Sequence, residues 1–337
     1  MTTRSTTPPN TPSHRTIWPV PELMITEGWG DYALLDSGHG RKLERAGRMT
    51  VIRPEPQAMW SPALTAAEWD RADAMFDADK ASDDDGGRWD FARRDMPETW
   101  PMRFQGVGFL GRFTPFRHLG FFPEQATQWG WMLPRLTARV AEGGPPPRLL
   151  NLFGYTGVAS LVAAAAGAEV VHVDASKKAV MQARENQSAA GLDHLPVRWL
   201  VEDARKFLAR EVRRGNRYDA ILLDPPKFGR GPKGEVWKLF DDLPPILADV
   251  AAVTAPDALF VILTAYATRL SSAALAGVMG EHMAPLGGRV CCGEIATAEL
   301  SAGRVLPTAL FARWMSDRAL AAEPAAAAVS AAHAKDA

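Results

Sequence analysis

The sequence predicts an α/β protein: a doubly wound, seven-stranded sheet whose last strand runs antiparallel, preceded by a small β-rich domain. Three observations carry that expectation. From residue 149 onward, short apolar runs alternate with helical patterns, the arrangement that gives a parallel sheet with helices on both faces. The alternation closes with two apolar runs, 289–295 and 308–314, with no helical pattern between them, so the second must return antiparallel beside the first. Ahead of residue 135, apolar runs are separated by glycine, proline and aspartate turns, as in short strands.

Composition narrows the class. A chain of 337 residues is long enough for two domains, and its net charge of −1 excludes an indiscriminate polyanion binder. Any nucleic-acid contact must come from local charge. The two cysteines are adjacent, Cys291-Cys292, inside an apolar run. That placement argues against a disulfide framework or a zinc site and for a reducing compartment. No stretch approaches a membrane span and no apolar signal core opens the chain, so cytoplasmic residence is expected. Nothing here decides between monomer and homo-oligomer.

In order, residues 1–16 hold three prolines and six threonines and are expected to be disordered. Residues 17–135 form the β-rich domain and its linker. Strand patterns stand at 32–35 and 49–52, with a turn at 36–40. Residues 65–99 carry eleven acidic and five basic side chains, including Asp83-Asp84-Asp85, and are expected to be an exposed linker and not a metal site. Two further strand patterns, 103–110 and 112–119, precede a tryptophan-bearing helix that leads to Pro134. Their aromatics interleave with Arg103, Arg112, Arg117 and His118. Such a mixture suits a single-stranded nucleic-acid platform and a packed hairpin equally well.

Residues 136–316 form the doubly wound domain. Strands are expected at 149–153, 169–173, 197–201, 219–223 and 259–264, with helices starting near 158, 177, 204, 238 and 270. Residues 317–337 are an alanine-rich tail expected to be disordered.

The candidate site gathers at the strand ends, where such sheets bind ligands. Phe153-Gly154-Tyr155-Thr156-Gly157 is a glycine turn between the first strand and its helix. Gly154 would let a ligand pass close to the backbone. Asp174, 20 residues beyond Gly154 (174 − 154), ends the second strand and suits ribose hydroxyls; Ala175 and Ser176 follow it. Asp203-Ala204 ends the third and suits a purine amine or an N-cap. The turn lacks the third glycine of a dinucleotide fingerprint. A phosphate-free adenosine ligand such as S-adenosylmethionine therefore fits better than NAD. Asp224-Pro225-Pro226-Lys227-Phe228 ends the fourth strand. Its prolines fix an extended loop whose carbonyls could accept from a planar amine, with Phe228 able to stack on a base.

Taken together, Asn151 to Gly157, Val173-Asp174, Glu202-Asp203-Ala204 and Asp224 to Phe228 resemble the class I S-adenosylmethionine-dependent methyltransferases. Within them the chain is similar to the bacterial 23S rRNA large-subunit methyltransferase group, with Gly120-Phe121-Phe122-Pro123-Glu124-Gln125 resembling that group's approach to the cofactor. The resemblance spans 103–314. It implies a Rossmann-like fold, Gln125 at the cofactor, and Asp224, Pro225, Pro226 and Phe228 holding the substrate beneath the methyl group.

Members that methylate a pyrimidine carbon carry a cysteine after the fifth strand, where this chain reads Thr264-Ala265-Tyr266-Ala267. Direct transfer to a nitrogen or oxygen of RNA, in rRNA processing, is the expectation. From Asp203 to Lys238 ten basic residues face five acidic ones, a surplus suited to a polyanion. A small-molecule or protein methyltransferase would not need it, and a non-catalytic RNA-binding protein would not need the strand-end acids.

Overall fold

The computed structural model describes residues 19–78, 87–266 and 269–323. The stretch 1–16, the aspartates at 83–85 and the tail beyond 323 lie outside them. The N-terminal region contributes β1 (Glu22–Thr26), β2 (Tyr32–Gly38), β3 (Arg41–Ala46), β4 (Met49–Pro54), the one-turn α1 (Ala66–Trp69), β5 (Ala74–Ala78), β6 (Gly87–Phe91), β7 (Thr99–Phe104) and β8 (Val107–Arg112). A 3-10 turn, Pro123–Gln125, leads into α2 (Ala126–Ala141).

The alternation then runs β9 (Arg148–Leu152), α3 (Val158–Ala165), β10 (Glu169–Asp174), α4 (Lys177–Ala189), β11 (Val197–Val201), α5 (Ala204–Arg214) and β12 (Ala220–Leu223). Two short strands, β13 (Phe228–Arg230) and β14 (Val236–Lys238), form a ribbon ahead of α6 (Leu239–Val253). The chain closes with β15 (Phe260–Tyr266), α7 (Ser272–Met283), β16 (Arg289–Ala298), β17 (Val305–Met315) and α8 (Asp317–Ala321).

The main sheet has the order β1-β16-β17-β15-β12-β9-β10-β11. β17 is antiparallel to both neighbours, β15 and β16, as two adjoining strands without a helix between them require. The expected seven strands are present and an eighth joins them: β1 pairs in parallel with β16, Glu22 opposite Gly293. Every residue of β12 is buried, which explains its uninterrupted apolar run. Helix starts follow from short polar caps: Ser176, Asp203 and Ser271 accept from backbone N–H groups of α4, α5 and α7. The order of strands reverses at β9, so the crevice lies at the carboxyl ends of β9, β10 and β12.

Four expectations change. The described parts of 65–99 are not an exposed linker: Trp69 of α1 is buried, and Ala74 and Phe76 are buried on β5, which with β6 joins β2, β3 and β4 in a five-stranded sheet. The stretch 112–119 is not a strand beyond Arg112, whose N–H is bonded to the Leu119 carbonyl. Helix α2 does not stop at Pro134; burial of Trp129, Met132 and Leu136 on one face carries it through. The tail expected from residue 317 begins with an ordered helix, α8, with Ser316 as its N-cap and Ala319 buried.

Most aromatics of 99–131 settle as packing, while Phe116 stays 51% exposed. Trp100, Phe104, Phe109, Phe121 and Trp129 are buried in one core. Trp29 packs edge-on against Phe104, Phe121 and Trp129 at 5.5–6.1 Å between ring centroids. Arg112 is paired with Glu185 at 3.1 Å.

Candidate active site

The turn after β9 is held under strain. Phe153 and Tyr155 sit at φ +57° and +51°, and Gly157 at φ +76°. Left-handed backbone at two bulky residues persists only where the surroundings enforce it. Here they do. The Tyr155 N–H donates to Asp174 Oδ2 at 2.9 Å, Thr156 Oγ1 donates to the Gly120 carbonyl at 2.6 Å, and Asn186 Nδ2 donates to the Thr156 carbonyl at 2.8 Å.

Gly154 has a further constraint beneath it. A Cβ there would collide with the buried His172 ring, so the glycine is required by what lies beneath the turn as well. His172 Nδ1 is 3.0 Å from Ser160 Oγ, which accepts from Asn151 Nδ2 at 2.9 Å. Burial pushes the imidazole down to about 3, which keeps it neutral. The only sign of this buried chain in the sequence is a histidine inside an apolar strand.

A cleft of about 830 Å³ opens above the strand ends, within the usual range for ligand sites. Its lining includes Phe153, Tyr155, Asp174, Ala175, Ser176, Asp203, Ala204, Asp224, Pro225 and Pro226. A recess of about 60 Å³ adjoins it, sharing Phe153, Tyr155 and Asp224 and adding Gln125, Gly154, Thr156 and Gly157. Of the expected site residues, Phe228 alone lies outside both linings. It stands on the ribbon, more than half exposed.

The three strand-end acids are held differently. Each Asp174 oxygen accepts one backbone N–H, Tyr155 on Oδ2 and Ser176 on Oδ1 at 2.8 Å. One lone pair therefore remains on each oxygen. Burial lifts its carboxyl above the ordinary value, against those two bonds. Asp203 Oδ1 caps α5 through the N–H groups of Arg205 and Lys206, both at 3.1 Å, and Oδ2 lies 3.4 Å from the Arg205 guanidinium.

Asp224 is pinned through Oδ2 by Gln125 Nε2 at 3.0 Å, while Oδ1 is buried without a partner. Burial, then the nearby Glu124 carboxylate, pushes it up to about 8. The Pro226 carbonyl, expected to be free, accepts the Trp237 indole N–H at 2.7 Å. The opposite wall comes from the N-terminal region through Lys42, Arg53, Glu55, Arg117 and His118. Its cations are internally matched: Arg53 makes bonds of 2.6 and 2.7 Å to Glu44, and Lys42 pairs with Glu55 at 3.2 Å.

A solved structure, the SAM-dependent methyltransferase from Agrobacterium tumefaciens, is 52% identical, covers 88% of this chain and 94% of its own, and superposes with a TM-score of 0.82. The chain belongs to the S-adenosylmethionine-dependent methyltransferases. A methyltransferase structure from Streptococcus mutans has the same fold at 14% identity and a TM-score of 0.64, with 85% and 75% of the two chains covered.

The family model described as Conserved hypothetical protein 95 matches residues 136–239 of this methyltransferase. A protein named ribosomal RNA large subunit methyltransferase I from Aeromonas salmonicida is 43% identical over 82 residues, which is 24% of this chain and 21% of that protein. Its counterpart from Erwinia tasmaniensis is 39% identical over 133 residues, 39% of this chain and 32% of its own length. The match thus spans a fifth to a third of those relatives. No described helix is long and apolar enough to cross a membrane.

Proposed function

We propose that this methyltransferase acts in the cytoplasm on RNA, with rRNA the leading class, and transfers the methyl group directly to a base nitrogen or oxygen. S-adenosylmethionine, when bound, supplies a methyl group on a positively charged sulfur. The residues present suit it. The Phe153–Gly157 turn and Gln125 would border it, with Ala175, Ser176 and Ala204 beside it. The two spare lone pairs of Asp174 match two adjacent ribose hydroxyls. Asp203 has less to offer a purine amine, because its cap and Arg205 already occupy most of its acceptor capacity.

Asp224 and Pro225 would hold the target base. An amine that gains a methyl group must shed a proton, and Asp224 Oδ1 is a buried acceptor without a partner. Cysteine chemistry has no place in this scheme. The chain's only cysteines are Cys291 and Cys292 on β16, outside the cleft lining, with Cys292 fully buried.

The observation that carries the RNA reading is the charge beside the cleft. Several of the ten basic side chains between Asp203 and Lys238 are neutralised: Arg205 by Asp242, Lys206 by Glu235 and Arg210 by Glu202. Lys227, Arg230 and Lys233 are exposed and have no ion pair among the described residues. Such cations suit phosphates. The test is transfer of tritiated methyl groups from the cofactor to unmodified RNA, followed by digestion to nucleosides. Label in an N- or O-methylated nucleoside is expected. Label in a C-methylated pyrimidine, in protein, or in small molecules only would overturn the proposal.

A further inference from the structure

We infer that the β13–β14 ribbon is a clamp for the single-stranded RNA flanking the target nucleotide, with Phe228 stacking on a neighbouring base and Arg230 and Lys238 meeting phosphates. The inference rests on the RNA reading above and reassigns Phe228 from the target base to the strand beside it.

The register of the ribbon decides which side chains share a face. Phe228 pairs with Lys238, Gly229 with Trp237 and Arg230 with Val236. Side chains alternate along a strand, so Phe228, Arg230, Val236 and Lys238 share one face and Trp237 points to the other. The inner face is locked. Trp237 is buried, packs on Phe153 at 4.9 Å between centroids, and donates its indole N–H to the Pro226 carbonyl. Gly229 opposite it leaves that face without a competing side chain.

All four residues of the outer face are exposed, with Phe228 at 54% and Val236 at 40%. Phe240, at the first turn of α6, adds another exposed ring at 56%. Apolar side chains left in water beside cations contribute little to the fold, and here two of them stand on a ribbon whose strands are only three residues long.

Nearby acids do not cancel the cations. Glu235 is engaged by Lys206 and by the Lys233 N–H at 2.8 Å, and Asp242 is engaged by Arg205 and by the Lys238 N–H at 2.7 Å. Asp241 approaches Lys238 only to 3.9 Å and is itself exposed. The ribbon also borders the cleft through Gly229 and Arg230. A strand whose target base enters the cleft would therefore have its next nucleotides over the ribbon. Single-stranded RNA offers both ring faces and phosphates to such a surface, whereas a duplex hides its ring faces in the stack.

The experiment uses the full chain and a labelled mixed-sequence RNA of about ten nucleotides, a length matched to one such site, with binding followed by anisotropy at several salt concentrations. Phe228→Ala should weaken binding about tenfold at every salt, as loss of one stacked base does. Arg230→Gln and Lys238→Gln should each lower the slope of log affinity against log salt by about 0.7. Cofactor affinity measured by calorimetry should match wild type in all three, which separates a local loss from misfolding. Wild-type affinity for RNA in all three variants would overturn the clamp while leaving the RNA reading intact. Absence of RNA binding by the wild type, or equal losses toward an acidic protein ligand, would overturn both.

Discussion

Residues 99–131 and 228–238 carry the same mixture of aromatic and cationic side chains, and the fold uses them in opposite ways. In the first stretch most rings turn inward, Phe116 excepted: Trp100, Phe109, Phe121 and Trp129 lie in one core with Trp29, and Arg112 is paired with Glu185. In the second, Phe228 and Val236 turn outward, next to Arg230 and Lys238. The difference comes from what each hairpin packs against. The β7–β8 hairpin lies over α3 and α4, packs on Trp29 and has a core to fill, whereas the β13–β14 ribbon has only Trp237 to bury. Composition alone cannot separate a stacking surface from a packed one; the partner of each face does.

The comparison can be broken most sharply at Trp129. Trp129→Ala should cost about 3–5 kcal/mol of stability, the range for a deleted core aromatic, as read by denaturant unfolding. Its folded fraction should keep the wild-type salt slope for RNA. Phe228→Ala should move stability by less than about 0.5 kcal/mol. If the two substitutions destabilised equally, the ribbon would be core and the contrast would vanish.

Asp224, at the root of the ribbon, sharpens the comparison through pH. Its folded value of about 8 lies above the ordinary 3.8. Between those values the unfolded chain has lost the proton that the folded chain keeps, so stability falls as pH rises, by at most about 1.4 kcal/mol per unit. Asp224→Asn should be the more stable protein at pH 8 by roughly a few kcal/mol and should converge with wild type near pH 4. The same titration predicts a transfer rate that rises with an inflection near pH 8 in wild type, with activity lost in the asparagine variant. A rate independent of pH from 6 to 9 would remove Asp224 as the proton acceptor.

Gly157→Ala is expected to cost about 1–3 kcal/mol in thermal unfolding, because the residue sits at φ +76° and its Cβ would lie 2.8 Å from the Trp199 ring. The smallest effect should come from Arg210. Its guanidinium makes two bonds to Glu202 at 2.5 and 2.7 Å, so Arg210→Gln should leave the salt slope of RNA binding unchanged where Arg230→Gln lowers it.

Much of the doubly wound half was legible because its strands are buried on both faces and its caps are short polar residues at strand-to-helix junctions. Elements that depend on partners were not. β3 reads Arg-Lys-Leu-Glu-Arg-Ala and shows no apolar alternation, yet Lys42 and Glu44 are buried because Glu55, Arg53 and Tyr32 satisfy them. β1 becomes a strand of the main sheet only because β16 leaves an edge open. At the site, the acids were visible as strand-end residues. The cost of Gly154 was not, since its reason is the His172 ring below it. Nor was the use of the Pro226 carbonyl by Trp237, eleven residues further along.

Isothermal titration of S-adenosylmethionine into wild type and Asp174→Ala bears most directly on the proposed site. Single-site binding by wild type, with affinity at least about tenfold lower once the two ribose-facing acceptors are gone, is the result expected of the geometry around Tyr155 and Ser176. Equal affinity in the two proteins, or no binding by wild type, would contradict the placement of the cofactor on which the rest depends.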